Sequence, residues 1–193
     1  MKPLKPWQVV SSREIYSAPP WIHLSRQTVR LSDGRVVDDY HKIQLLDFAV
    51  IVAQTANGDI LVERQYRHGL GRVALMLPAG ALQNGEDAMA AAKRELLEET
   101  GYASDDWNFL GKFTANANYG CGTMHLFAAR GVRKISTINS DDLEEMEILF
   151  MPPDELFAAI RKGEMPALSS AAAIALATHP EICRLQKISS SKA

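Results

Sequence analysis

The chain has 193 residues, of which 47% are hydrophobic and 23% charged, a balance that predicts a folded globular protein and excludes general disorder. Its formal net charge of −2 provides no broad basic surface for a long nucleic acid. Two cysteines, Cys121 and Cys183, are too few for a disulfide framework and favour a reducing cytoplasm. No stretch approaches the roughly 20 apolar residues of a membrane helix, and no signal peptide is visible. We therefore expect a cytoplasmic protein with neither nucleic acid nor membrane as a partner.

The first 45 residues predict a small antiparallel sheet. Val29 and Leu31 on one side, and Val36 and Val37 on the other, flank a turn that contains Gly34, as expected for two strands joined by a short connection. Pro19 and Pro20 stand before these strands and disfavour a helix there. A few short strands bury little surface, so we expect this sheet to pack on the main domain or on a second subunit.

From residue 48 onward, predicted strands and helices follow one another without a regular βαβ repeat. The predicted strands cover 48–53, 60–65, 75–77, 126–129 and 148–151, and the predicted helices cover 87–100, 153–162 and 169–178. This order favours an α/β or α+β sandwich over a doubly wound sheet. We expect three parts: an N-terminal β subdomain at 1–45, a main domain at 46–180 and a C-terminal tail at 181–193.

The predicted helix at 87–100 carries glutamates where a core-facing side chain is expected. At about 100° per residue, Ala88, Ala92 and Leu96 form one apolar stripe, and Glu99 falls inside that arc, roughly 20° from Ala92. Glu95 lies at the edge of the arc, one turn away. A bare carboxylate facing a core is costly, and two carboxylates spaced i, i+4 repel each other. A divalent cation such as Mg²⁺, which prefers oxygen ligands, accounts for this arrangement.

A plainer interpretation of the same helix remains open at this point. Arg94 and Glu98 are also spaced i, i+4, and such pairs are common on solvated charged helices that bind nothing. The position of Glu99 on the apolar arc weighs against this interpretation, and so does a longer pattern in which the helix is embedded.

That longer pattern resembles the Nudix box. The signature is a glycine, five residues, a glutamate, seven residues, Arg-Glu, an apolar residue, one residue, Glu-Glu, one residue and a glycine. In this chain its positions are occupied by Gly80, Glu86, Arg94, Glu95, Leu96, Glu98, Glu99 and Gly101. Tyr102 follows, where an aliphatic residue is more usual.

The resemblance implies a fold, a metal and a reaction. The fold is a Nudix α/β/α sandwich, here preceded by the small N-terminal antiparallel β subdomain. The metal is Mg²⁺, with Mn²⁺ as a possible substitute, held by the residues that match Glu95 and Glu99, with Glu98 as a further candidate ligand or catalytic group. Arg94 is implied to brace the glutamates. The reaction is attack of water on a phosphorus atom of a nucleoside diphosphate linked to another group.

Within the Nudix family, residues 9–176 look most like the ADP-ribose pyrophosphatase branch. In that branch the N-terminal sheet is exchanged in a homodimer, and both subunits bind the substrate. The resemblance implies that the carbonyl of Ala79 ligates metal and that Arg67 contacts phosphate. Lining up the late acidic stretch puts Glu145 at the place of the residue that positions or deprotonates the attacking water, with Glu144 as the alternative. Trp21 offers a flat face that could stack on an adenine, or it is a half-buried anchor of the N-terminal sheet.

Two departures from that branch keep other functions open. Met76 stands where the branch usually has a glutamate, and the proline common about fifteen residues after the box is missing. The favoured hypothesis is hydrolysis of ADP-ribose to AMP and ribose 5-phosphate. A second hypothesis keeps the chemistry but changes the substrate to another nucleotide sugar such as GDP-mannose. A third, a non-catalytic nucleotide-binding Nudix module, would be indicated by lost box glutamates, and none is lost.

Overall fold

A computed structural model describes residues 4–138 and 146–179. The described residues form two compact units, each with its own internal contacts. The first contains the residues up to Asp47 together with Thr114–Thr123, and the second contains Phe48–Phe113 and the residues from Met124 onward. Glu144, Glu145 and the predicted tail at 181–193 lie outside the described residues. No helix within the described ranges is long and apolar enough to cross a membrane.

The first unit is built on a three-stranded antiparallel sheet. Its strands are β1 (Gln8–Ala18), β2 (Ile22–Arg30) and β3 (Val36–Leu45), in that spatial order. The turn between β2 and β3 needs Gly34, whose φ of 91° is disfavoured for other residues. Only Val29 is buried among the described residues up to Asp47. This sheet therefore has almost no core of its own, although its strands, of 9 to 11 residues, are longer than the short strands predicted.

The second unit is built on a seven-stranded mixed sheet. The strands are β4 (Phe48–Gln54), β5 (Ile60–Arg67), β6 (Arg72–Met76), β7 (Ala79–Ala81), β9 (Asp106–Asn116), β10 (Cys121–Arg130) and β12 (Met146–Met151). Five of them follow the order β12-β5-β4-β10-β9, with β6 paired to β5 and β7 paired to β4. β10 and β4 run parallel, whereas β5 is antiparallel to β4, β6 and β12. The turn region at Thr114–Thr123, between β9 and β10, groups with the first unit.

Helices cover both faces of this sheet. On one face, α1 (Ala88–Thr100) packs through Ala92 and Leu96 against alternate strand residues such as Ile51 and Leu61. On the other face, α2 (Pro153–Arg161) and α3 (Leu168–Thr178) pack against the intervening strand residues. Strand side chains alternate between faces, so the continuous apolar run at 48–53 in β4 packs against both layers. The predicted α/β/α sandwich is confirmed.

A two-stranded ribbon continues from the end of α1. β8 (Tyr102–Ala103) pairs with β11 (Arg133–Lys134), and the carbonyl of Gly101 accepts hydrogen bonds from the amides of Ile135 at 2.9 Å and Ser136 at 3.1 Å. A Cβ added at Gly101 would overlap the carbonyl oxygen of Ser136. The chain that follows β10 is thus hydrogen-bonded to the C-terminal end of α1, which carries most of the box residues and is called the box helix below.

Candidate active site

The box helix begins and ends on local signals. Asp87 caps its N-terminus, accepting hydrogen bonds from the amides of Met89 at 3.0 Å and Ala90 at 3.1 Å. Gly101 ends it in the left-handed conformation, with φ of 75°, and donates its amide to the carbonyl of Leu97. These caps fix where the helix begins and ends, and the packing of Ala92 and Leu96 in the core fixes which side of it faces the sheet.

Arg94 joins three box carboxylates. Its Nε and Nη2 each lie 2.9 Å from one oxygen of Glu86, as a two-pronged pair. Its Nη1 donates to Glu95 at 2.7 Å and to Glu98 at 3.0 Å, and its Nη2 also reaches the carbonyl of Ala81 at 3.2 Å. The i, i+4 pair with Glu98 is present, but it is one contact within a larger network.

The pKa values of two carboxylates in this network are shifted in opposite directions. Hydrogen bonds from Arg94, helped by the backbone amide of Gln83, hold the pKa of Glu86 below its ordinary value. Burial raises the pKa of Glu95, although Arg94 opposes this. Bonding to the carboxylates, above all Glu86, raises the pKa of Arg94, which stays charged. Burial therefore disfavours the charged form of Glu95, which a nearby cation would stabilise.

Glu99 is buried, with 8% of its surface exposed, as the helical arc predicted. Its Oε2 accepts a hydrogen bond from the backbone amide of Ala79 at 3.0 Å. The next residue, Gly80, has no room for a side chain, because a Cβ there would overlap the carboxylate of Glu95. The segment before the helix thus lies directly against both carboxylates on the sheet-facing side.

These residues fit a divalent, oxygen-preferring cation. Glu95 and Glu99 are hard oxygen donors, and the side-chain-free backbone at Gly80 leaves space for the carboxylate of Glu95. Within the described ranges, no group of three or more His, Cys, Asp or Glu side chains is arranged to hold a metal ion as they stand. The two observations agree, because the set predicted here has two side chains and a backbone carbonyl, and Arg94 engages the remaining box glutamates.

The other predicted site residues lie on different elements. Arg67 ends β5, and its Nε is buried without a hydrogen-bond partner among the described residues. Trp21 precedes β2 in the first unit and is 68% exposed, so a half-buried anchor does not describe it. Glu145 cannot be placed, since it lies outside the described ranges.

Two buried polar residues on β5 were not predicted as site residues from the sequence. Glu63 is fully buried and Gln65 is 4% exposed, and Nε2 of Gln65 donates to Oε2 of Glu63 at 3.2 Å. The available signal was a charged residue directly after the apolar run Ile60, Leu61, Val62 on a strand flanked by other strands.

Family comparisons agree with the fold and the box. The NUDIX domain family matches residues 45–170, and the nucleoside diphosphate sugar hydrolase N-terminal domain family matches residues 7–43. The chain therefore belongs to the Nudix family and is a Nudix hydrolase. Enzymes of this family generally depend on a divalent metal ion.

Curated relatives and a solved structure extend the comparison. An ADP-ribose pyrophosphatase of Mycobacterium tuberculosis is 29% identical over 175 residues, covering 90% of this chain and 83% of that protein. A methanol dehydrogenase activator of Bacillus methanolicus is 31% identical over 113 residues, covering 58% of this chain and 61% of the relative, less than two thirds of its length. The crystal structure of an ADP compounds hydrolase matches with a TM-score of 0.79 over 92% of this chain and 95% of that one. At 19% identity, that structure supports the fold alone.

Proposed function

We propose that this protein hydrolyses the pyrophosphate bond of an ADP-sugar, with ADP-ribose as the preferred substrate and AMP and ribose 5-phosphate as products. The observation that carries the proposal is the contact of Ala79 and Gly80 with the two carboxylates on the sheet-facing side of the box helix. The relatives named for ADP-ribose and ADP-sugar hydrolysis support the choice of nucleotide. Cys121, a buried free thiol, is compatible with a cytoplasmic location, which remains part of the proposal.

The proposed metal is Mg²⁺, with Mn²⁺ as a substitute. Glu95, Glu99 and the carbonyl of Ala79 would hold it, and it would neutralise and orient the pyrophosphate and acidify the attacking water. The amide of Ala79 already fixes one oxygen of Glu99, which orients the carboxylate before any ion binds. Arg94 donates a hydrogen bond to Glu95 at 2.7 Å and so restrains that carboxylate.

Other side chains would bind the substrate phosphate or take the proton of the attacking water. Arg67 would neutralise a phosphate, since a guanidinium suits phosphate oxygens and its Nε makes no other hydrogen bond among the described residues. Glu145 would take the proton of the attacking water, whose oxygen bonds to phosphorus as the bridging P–O bond breaks. Glu98, 45% exposed and held by Arg94, is the second candidate for this proton transfer.

The N-terminal sheet would pair with a second copy of the chain and bring Trp21 to the substrate. In the single chain, Val9, Ile15, Tyr16 and Trp21 are between 42% and 68% exposed. Apolar side chains on a sheet with almost no core of its own are a typical contact surface. A homodimer with exchanged N-terminal sheets would bury them, and Trp21 could then stack on the adenine.

The proposal is tested by turnover of a nucleotide-sugar panel. ADP-ribose, ADP-glucose, GDP-mannose and UDP-glucose are incubated with the protein and Mg²⁺, and the products are separated by ion-exchange chromatography. ADP-ribose should have the highest kcat/KM. A preference for GDP-mannose would support the second candidate, which Met76 favours by leaving β6 without a carboxylate. No turnover of any compound would overturn the proposed function.

A further inference from the structure

Strand β5 has two buried polar side chains, Glu63 and Gln65, on the face of the sheet that α1 covers. Val62 packs in the cluster beneath α2 and α3, whereas Leu61 packs in the cluster beneath α1. Because strand side chains alternate, Glu63 and Gln65 lie on the α1 face with Leu61. Glu63 is 0% exposed. It is a carboxylate buried in the layer between the sheet and the box helix.

The two residues directly opposite Glu63 across the sheet are apolar. It lies directly opposite Met76 on β6 and directly opposite Ile148 on β12. Directly opposed residues share a face and have their Cβ atoms about 4.5–5.5 Å apart. An aliphatic side chain would pack there without desolvating a charge, which is costly for a buried carboxylate. Gln65 binds one oxygen of Glu63, so the group is oriented as well as buried.

The strand opposite Glu63 leads directly to the box carboxylates. Leu75, Leu77 and Ala79 all pack in the cluster beneath α2 and α3, so alternation is kept through this segment. Met76 and Gly80 therefore face α1, and the space above Gly80 is taken by the carboxylate of Glu95. Met76 precedes Ala79, whose amide binds Glu99, by three residues, a span of at most about 10 Å.

We propose that Glu63 is a further carboxylate of the divalent-cation site. It lies on β5, directly opposite Met76 of β6, which has no carboxylate. Glu63 adds a negative charge on the α1 face and acts on the cation through its bound water, since no three carboxylates of the described residues are arranged to hold an ion directly. The inference rests on the proposed metal-dependent hydrolysis, but it concerns cation binding and is tested without any nucleotide.

The test measures Mn²⁺ binding to the full chain by titration calorimetry and by electron paramagnetic resonance of the free ion. Glu63→Gln keeps the shape and one oxygen that can accept the hydrogen bond from Gln65 but removes the charge, and it should raise the Kd for Mn²⁺ about 10-fold or more. Glu164→Gln is the matched control, because Glu164 is an exposed carboxylate whose backbone joins the same sheet at Leu75. Its Kd should stay within twofold of the wild-type value.

A positional swap sharpens the test. Glu63→Met should weaken Mn²⁺ binding while leaving the melting temperature unchanged or higher, since a buried charge is replaced by an apolar side chain. Adding Met76→Glu should recover most of the affinity, because the carboxylate returns to the same face from the opposite strand. Loss of affinity without recovery would still support Glu63 and would show that its place on β5 is required. If Glu63→Met does not fold, Glu63→Gln alone decides.

Mn²⁺ affinity within twofold of wild type in Glu63→Gln, and in Glu63→Met where it folds, overturns the inference and leaves Glu63 a structural residue. This outcome is distinct from failure of the proposed function. A protein that hydrolyses no nucleotide sugar but binds Mn²⁺ through Glu63 retains the inference, whereas an active enzyme with unchanged Mn²⁺ binding in the variants loses it.

Discussion

The backbone amide of Ala79 donates a hydrogen bond to Oε2 of Glu99 at 3.0 Å, twenty residues along the chain. This bond joins the end of the segment Arg72–Ala81, which carries β6 and β7, to the last turn of the box helix. It places the backbone of Ala79 beside a buried carboxylate of that helix. The proposed cation site depends on this junction, and so do the first two predictions.

Glu99→Gln should leave the fold intact and nearly abolish turnover. The amide oxygen of glutamine can still accept the hydrogen bond from Ala79, but a neutral amide is a weaker ligand for a divalent cation. Turnover is measured with the best nucleotide sugar and folding by circular dichroism. A loss of less than tenfold would contradict the role given to Glu99. EDTA should likewise stop the wild-type enzyme, and added Mg²⁺ should restore it.

Gly80→Ala should lower kcat/KM by tenfold or more, because the new Cβ must displace the carboxylate of Glu95 or shift the backbone. Gly69→Ala is the matched control: nothing lies within 4 Å of a Cβ added there, and Gly69 is not among the glycines with positive φ. The pair is compared by steady-state kinetics at saturating Mg²⁺. Equal activity in the two variants would show that the contact between Gly80 and Glu95 has no role.

Glu86→Gln should lower stability in a pH-dependent way. The folded pKa of Glu86 lies below its ordinary value of 4.5, so its contribution is present above that pH and is lost as the pH falls through the folded pKa. At pH 7 the variant should be less stable by about 1.5–3 kcal/mol, the range for hydrogen bonds to charged groups. Urea unfolding in EDTA at pH 7 and pH 3.5 measures this. A difference that does not shrink at the lower pH would argue against the charged pair with Arg94.

Glu145→Gln should lower kcat by about 10²–10⁴ with little change in KM, since general-base help acts mainly in the transition state. Glu144→Gln should have a milder effect. If Glu144→Gln is the crippling change, the alignment that selected Glu145 is wrong by one residue. If neither variant changes kcat even a few-fold, Glu98 becomes the next residue to test.

Sedimentation velocity should show a dimer at micromolar concentration. Removing residues 1–45 should expose apolar surface and cause aggregation, because this segment is proposed to be exchanged between subunits. Ile15→Glu, on β1, should weaken the dimer without unfolding the second unit, since Ile15 is 42% exposed in the single chain. A wild-type monomer throughout the micromolar range rules out the homodimer.

The box helix is the part of the site that short-range sequence signals predict. Its bounds follow from Asp87 and Gly101, and the burial of Glu99 follows from the 3.6-residue period, so each could be predicted from a few neighbouring residues. Strand β9 could not be predicted in this way. It is an edge strand of the described sheet, and its residues are mostly exposed and show no apolar alternation.

Of the contacts of Arg94, short-range spacing predicts the one with Glu98 but not the one with Glu86. Helical spacing predicted its bond to Glu98, four residues away. Its two-pronged bond to Glu86 depends on how the loop before the helix folds back, and no periodicity describes a loop.

The pairing of Glu63 with Met76 was decided by the tertiary structure alone. Strand register depends on the turn at His68–Gly71 and on the layers packed against both faces of the sheet, and a slip of one residue would turn Glu63 away from the box helix. The sequence by itself determined the class of reaction, because the box residues lie within 22 positions on one loop and helix. Which other strands bring polar groups to that helix depends on long-range register, which the sequence encodes only through the packing of the whole sheet.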